Sequence, residues 1–240
     1  MDPKGFSGSI LKWIAVATML IDHFAAIFFT GSAYAGHLLF SWNVYVVLRA
    51  IGRLAFPLFA FLLAEGFRHT RSVEKYLSRL FLFGVLSEIP FDLAFSRTWM
   101  DWSYQNVYFT LFLGLLAVWL WQRFTRNDPG HCGTGRVLLG LLAIAGAAAA
   151  AEFGHTDYGM WGVLTVVSMV LFRESEWQRC LFSSCFLLGS SALEIFSLPS
   201  FALIHFYNGR RGRQTKYFFY LFYPLHLSLL VLLCQAFYPF

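Results

Sequence analysis

Apolar runs follow one another along almost the whole chain, separated by short polar stretches. They cover residues 10–29, 44–66, 76–95, 106–121, 137–151, 158–172, 180–196, 199–207 and 217–237. A helix needs about 20 apolar residues to cross a hydrocarbon core roughly 30 Å thick. The pattern therefore predicts an all-α, polytopic transmembrane helix bundle of about eight or nine spans. The run at 199–207 is the exception, because at 1.5 Å per residue it reaches only about 15 Å. It predicts a broken or re-entrant helix held by its neighbours, or a different division of the stretch 180–207. The Ala-rich run at 143–151 predicts a close helix contact.

Basic residues sharpen this into a topology. If every run crosses, Arg68, Arg71, Lys75 and Arg79 fall on one side. So do Arg123, Arg126 and Arg136, then Arg173 and Arg179, then Arg210, Arg211, Arg213 and Lys216, while the opposite loops hold only Arg97. That asymmetry places the N-terminus in the cytoplasm. The chain is 58% hydrophobic and only 13% charged, about half the charged content of a soluble domain. Residues 1–240 thus read as a single integral membrane domain. The net charge of +5 resides in tracts between spans rather than in a groove with interleaved aromatics, which excludes nucleic acid as a partner. Cys132, Cys180, Cys185 and Cys234 contain no C-x-x-C pair, so neither a zinc site nor a disulfide framework is expected. Residues 10–29 followed by Ala33-Tyr34-Ala35 imitate a cleaved signal peptide, but Asp22 and His23 interrupt the apolar stretch. It reads as a retained first span.

Those two residues belong to a set. Ionisable groups inside a membrane cost several kcal/mol unless paired or hydrated. Just past the middle of the first span stand Asp22 and His23. Arg49 and Arg53, four apart on one helix face, lie in the outer half of the second. Glu88 and Asp92 flank Pro90 near the outer end of the third, Asn106 and Thr110 open the fourth, Asp157 opens the sixth, and His226 sits mid-way in the last. Taken pair by pair, these are helix glue, with the two Arg residues meeting Glu88, Asp92 or Asp22. Taken together, they line one slab toward the outer side, which suits acid/base chemistry or ion translocation. His23 is the natural proton acceptor, because imidazole titrates near neutrality. Asp22 points about 100° away from it and is directed at Arg49 or Arg53. His37 and His131 fall in predicted loops.

The inner side carries Asn208-Gly209-Arg210-Arg211-Gly212-Arg213, where glycine-permitted turns and guanidinium groups suit phosphate. Arg68 and Arg71 share that side. Attraction to anionic lipid explains the basic loops taken singly, but the Asn208–Arg213 turn rises above it. There is no G-x-x-x-x-G-K-[ST] motif for a nucleotide P-loop.

Several segments can be read together: Thr18-Met19-Leu20-Ile21-Asp22-His23, Arg49-Ala50-Ile51-Gly52-Arg53-Leu54-Ala55-Phe56-Pro57, Ser87-Glu88-Ile89-Pro90-Phe91-Asp92, Asn106-Val107-Tyr108-Phe109-Thr110, Asp157-Tyr158-Gly159, Tyr207-Asn208-Gly209-Arg210-Arg211-Gly212, and Phe222-Tyr223-Pro224-Leu225-His226. They resemble the TraX family, named for a conjugative F-pilin N-acetylase. The resemblance implies a multi-pass acetyltransferase of the bacterial inner membrane that takes acetyl groups from cytosolic acetyl-CoA. The acceptor would be the N-terminal amine of a pilin-like protein or another membrane-presented amine or hydroxyl. Joined to the map of charged residues above, it leads to a mechanism in which Asn208, Arg210, Arg211, Arg213, Arg68 and Arg71 would hold the CoA phosphates and His23 would be the base, with His226 the second choice. Arg49, Arg53 and Asn106 would position the acceptor or stabilise an oxyanion. Glu88, Asp92 and Asp157 would pair with the Arg residues or bind the acceptor's ammonium. A covalent acetyl-His route is the variant of this scheme, and no metal is expected. The competing class is a proton-coupled small-molecule transporter or flippase, which would use the same buried charges. A scaffold held together by those charges is the third.

Overall fold

Serines start several of the helices. The computed structural model describes residues 5–34, 39, 41–125, 133–213 and 216–238. Arg126, Cys132, His37 and His131 lie outside these. Ser7 Oγ accepts the Ile10 N–H at 3.3 Å and opens α1 (Gly8–Tyr34). Ser41 does the same for Val44 in α2 (Trp42–Gly52), and Ser72 for Lys75 in α4 (Val73–Phe95), which follows α3 (Ala55–His69). Each hydroxyl satisfies a donor that the first helical turn leaves unpaired. There follow α5 (Val107–Thr125), α6 (Thr134–Phe153), α7 (Gly159–Leu171), α8 (Glu176–Ser190), a 3-10 segment Ala192–Ser197, α9 (Pro199–His205) and α10 (Lys216–Phe237). Among the described residues there is no strand, only isolated bridges joining Phe6 to Tyr207 and Gln105 to Thr156.

Among the described residues five helical segments are long and apolar enough to cross a membrane: Gly8–Ala33, Trp42–His69, Val107–Thr125, Thr134–Phe153 and Tyr217–Phe237. Leu138, Leu139, Leu141 and Leu142 of α6, and Leu225, Leu229 and Leu232 of α10, lie exposed on the surface. That apolar area is suited to lipid rather than to water. In α4, Glu74, Lys75, Arg79, Glu88 and Asp92 dilute the apolar run.

Two breaks matter for function. Pro57 has no N–H, and its ring crowds the carbonyl four residues back, that of Arg53. The helix duly stops at Gly52. The Arg53 N–H bonds to the carbonyls of Arg49 and Ala50 at 3.2 Å, and that of Leu54 to Ile51 at 3.3 Å. The continuous helix expected over 44–66 is therefore two helices, with Arg53 as the C-cap of α2. By contrast α4 runs on through Pro90. The second break is Ser191, extended at φ −164° and ψ 146°. It corrects the division expected at 180–196 and 199–207. The separate short segment is Ala192–His205, whose 14 residues reach about 22 Å, less than the hydrocarbon thickness.

By contacts the chain forms two units, Met1–Phe59 with Val85–Asp101 and Leu193–Phe240, and Ala60–Gly84 with Trp102–Ala192. In the first, α1 packs on α2 through Phe29 and Tyr45, whose ring centroids are 4.3 Å apart. It packs on α10 through Trp13 against Phe218 and Phe219, and through Ile27 against Cys234. In the second, Gly114 backs onto Val166 and Gly140 onto Trp121. There Ala147, Ala148 and Ala151 form the buried stripe of the Ala-rich run.

Candidate functional site

Consecutive helical residues point about 100° apart, so Asp22 and His23 of α1 address different neighbours. Asp22 faces the end of α2. Its Oδ2 accepts Arg49 Nη1 at 2.5 Å, and Arg53 Nη2 donates to both carboxylate oxygens at 2.9 Å. Arg53 Nη1 continues to Glu194 Oε1 at 3.1 Å. Asp22 and Glu194 are 6% and 1% exposed. Two guanidinium groups and two carboxylates sum to zero, the condition under which buried charge is tolerable. Gly52 makes the approach possible, since a Cβ there would fall on the Asp22 carboxyl group.

The second arm starts at His23. Its Nδ1 lies 2.7 Å from His226 Nε2, and His226 Nδ1 lies 2.7 Å from the Phe222 carbonyl oxygen. The two imidazole planes differ by 8° with centroids 5.0 Å apart. A nitrogen separation of 2.7 Å is closer than two stacked faces can approach, so the rings meet edge to edge, nearly coplanar. Phe95 and Tyr223 present their rings to His23 at 5.6 and 5.8 Å, steeply inclined. The Phe222 ring lies along His226 at 4.8 Å.

All of these residues belong to the first unit. Asp92 is there too, 2% exposed, but it does not meet a guanidinium as expected. Its Oδ2 accepts the Asp101 N–H at 2.9 Å and its carbonyl accepts the Ser96 N–H, which folds residues 96–101 back over the end of α4. Glu88 is half-buried one turn earlier. Glu194 takes the place anticipated for these carboxylates. It was missed because a lone Glu near the end of an apolar run reads as a solvated terminus; the detectable signal is its position next to Ser191 and Pro199, which bracket a broken helix.

Asn106 and Asp157 belong to the second unit and have structural partners there. Asn106 caps α5, its Oδ1 accepting the Tyr108 N–H at 3.0 Å, while its Nδ2 donates to the Gly84 carbonyl at 2.9 Å. Asp157 accepts the Tyr104 hydroxyl at 2.6 Å, and its carbonyl accepts from Thr110. The turn carrying it, with His155, Tyr158 and Gly159 at positive φ, is clamped to Gln105 by backbone bonds of 2.9 and 2.8 Å. Arg68 lies 4.0 Å from Glu65, and Arg71 is exposed.

The glycine turn of the first unit is anchored on the start of α1. Asn208 Nδ2 donates to the Gly5 carbonyl at 2.7 Å, Asn208 Oδ1 accepts the Arg210 N–H at 3.0 Å, and the Gly8 N–H reaches the Arg210 carbonyl at 2.8 Å. Gly209 and Gly212 adopt φ of 75° and 67°, conformations open to glycine at little cost. Arg210, Arg211 and Arg213 are left exposed. Among the described residues no cluster of three His, Cys, Asp or Glu side chains is placed to hold a metal ion.

A family model described as TraX protein matches residues 7–234. The chain belongs to the TraX family. A relative named Probable fimbrial assembly protein FimC, serogroup H1, from Dichelobacter nodosus, is 33% identical over 260 aligned positions that cover 96% of each chain. No solved structure matches the chain. The TraX match takes in both arms from Asp22 to His226 and the whole glycine turn.

Proposed function

We propose that this TraX-family protein is a membrane-embedded acetyltransferase, carrying acetyl groups from cytosolic acetyl-CoA to an amine presented from the membrane or the outer side. The observation that carries this reading is the His23–His226 pair. It is acid/base machinery that no ion pair consumes, beside charges that already neutralise one another. In the proposed reaction the acceptor amine gives a proton to His23 as its nitrogen attacks the thioester carbonyl. The C–S bond then breaks, and the departing CoA thiolate takes the proton back. The exposed Arg210, Arg211 and Arg213 supply charge for the CoA phosphates. The Asp22–Arg49–Arg53–Glu194 quartet holds α1, the α2 break and the 3-10 segment in register, rather than binding the acceptor.

In this proposal the chain crosses a bacterial inner membrane eight or nine times with its N-terminus cytoplasmic, so that donor and acceptor would come from opposite sides. The fimbrial assembly name of the Dichelobacter nodosus relative favours the N-terminal amine of a fimbrial or pilin-like subunit as acceptor. A proton-coupled transporter or flippase would share one feature, a broken helix with a buried carboxylate at Glu194. Purified protein in detergent, given acetyl-labelled acetyl-CoA, separates the two. Saturable binding, with CoA released when a peptide bearing a free N-terminal amine is added, supports the transferase. No binding and no release would overturn it.

A further inference from the structure

We infer that His226 is a positioning residue that holds His23 in the tautomer protonated on Nδ1, leaving Nε2 of His23 as the atom that accepts the acceptor's proton. This rests on the transferase reading above and names the atom that does its work. A neutral imidazole carries one N–H and one acceptor nitrogen. The Phe222 carbonyl can only accept, so His226 Nδ1, 2.7 Å from it, carries the hydrogen. His226 Nε2 is then an acceptor, and the partner 2.7 Å away, His23 Nδ1, must donate. The chain of bonds has one direction, from His23 through His226 to the Phe222 carbonyl. It leaves a lone pair on His23 Nε2.

The reverse polarity would need a doubly protonated His226, and among the described residues no carboxylate is paired with either ring. The ring neighbours of the pair are Phe95, Tyr223 and Phe222, while the Asp22 and Glu194 carboxylates are held by guanidinium groups. During transfer, His23 Nε2 gains the amine proton and its Nδ1–H bond to His226 becomes charge-assisted. The positive charge is shared along the pair, with His226 still tied to Phe222. When the C–S bond breaks, the thiolate removes the proton from Nε2 and the neutral pair is restored. His226 thus orients the base, the role of the third member in a nucleophile–base–orienter array.

Ring-nitrogen NMR of the full-length protein, labelled with ¹⁵N-histidine in nanodiscs, reads the tautomers without any turnover. It therefore stands apart from the fate of the transferase reading. The expected spectrum shows hydrogen on Nδ1 of both residues and a bare Nε2 on His23. A hydrogen on His23 Nε2 or on His226 Nε2 would overturn the assignment. A variant pair reads the consequence. In His226→Gln the amide oxygen still accepts the His23 N–H, whereas His226→Leu offers no acceptor. Leu should lower kcat about 10- to 100-fold with acetyl-CoA binding unchanged, and Gln should recover most of that loss. Wild-type kcat in His226→Leu, or equal losses in both variants, would refute the positioning role.

Discussion

Asp22→Asn removes one negative charge from a quartet that otherwise sums to zero. The Asp22 carboxylate accepts from Arg49 at 2.5 Å and from Arg53 at 2.9 Å on both oxygens, so the variant takes the anion from both half-buried guanidinium groups and leaves Glu194, held by Arg53, as the remaining acid of the quartet. Removing one partner of a buried ion pair costs about 3–5 kcal/mol. The Arg49 and Arg53 side chains keep 22% and 15% of their exposure, which places this site at the lower end, about 3 kcal/mol. At roughly 2–4 °C per kcal/mol for a chain of this size, Tm should fall by about 6–12 °C. Arg49→Gln alone unbalances the quartet in the opposite sense. The double variant restores neutrality around Arg53 and Glu194, so its loss should be smaller than the sum of the singles by roughly 1–2 kcal/mol. Thermal unfolding in one detergent across the four proteins gives this cycle. Additive losses, or an Asp22→Asn protein melting with the wild type, would refute the idea of a charge-balanced unit.

Three further outcomes follow from the same geometry. Gly52→Ala puts a methyl group onto the Asp22 carboxyl and should cost about 1–3 kcal/mol, read as a lower unfolding midpoint; an unchanged midpoint would mean that α1 and α2 do not need this close approach. Asn106→Ala strips the Gly84 carbonyl and the Tyr108 N–H of a buried partner, for a loss of about 2 kcal/mol. The acceptor KM and kcat should stay at their wild-type values, and a large change in either would return Asn106 to the acceptor site. Exchanging Arg210 and Arg211 together for Gln should weaken acetyl-CoA binding about 10- to 100-fold, as loss of one or two charge-assisted bonds implies. Equilibrium binding at two salt concentrations checks this, since the wild type should lose affinity with salt more steeply than the variant.

The sequence was informative where a short local rule applies. The 100° step between adjacent helical residues separates Asp22 from His23, and Arg49 and Arg53 are indeed where Asp22 points. Glycines in the Asn208–Arg213 tract announce the positive φ found at Gly209 and Gly212. Legibility fell where an outcome depends on long-range packing. Pro57 sits within an apolar run, and its effect on the carbonyl of Arg53 shows only in the break it makes between Gly52 and Ala55. Ser191 interrupts a stretch whose hydropathy continues on both sides, so periodicity placed the division too late. Glu194 then becomes a partner of Arg53 through tertiary contact 141 residues away in sequence. Depth in the membrane makes Asp92 one of three candidate partners for the Arg residues, but the loop that follows α4 supplies a nearer donor in the Asp101 backbone. The pairing of His23 with His226 has no local signature, since the residues lie 203 positions apart and on different helices.

The central claim is that His23 carries the proton in acetyl transfer, and one measurement addresses it most directly. Wild-type protein and His23→Ala, matched for thermal stability and for acetyl-CoA affinity, are compared for CoA release in the presence of a peptide with a free N-terminal amine. A missing general base lowers kcat by about 10²- to 10⁴-fold, and the account predicts a loss in that range with the dissociation constant for acetyl-CoA unchanged. Full turnover by His23→Ala would contradict it.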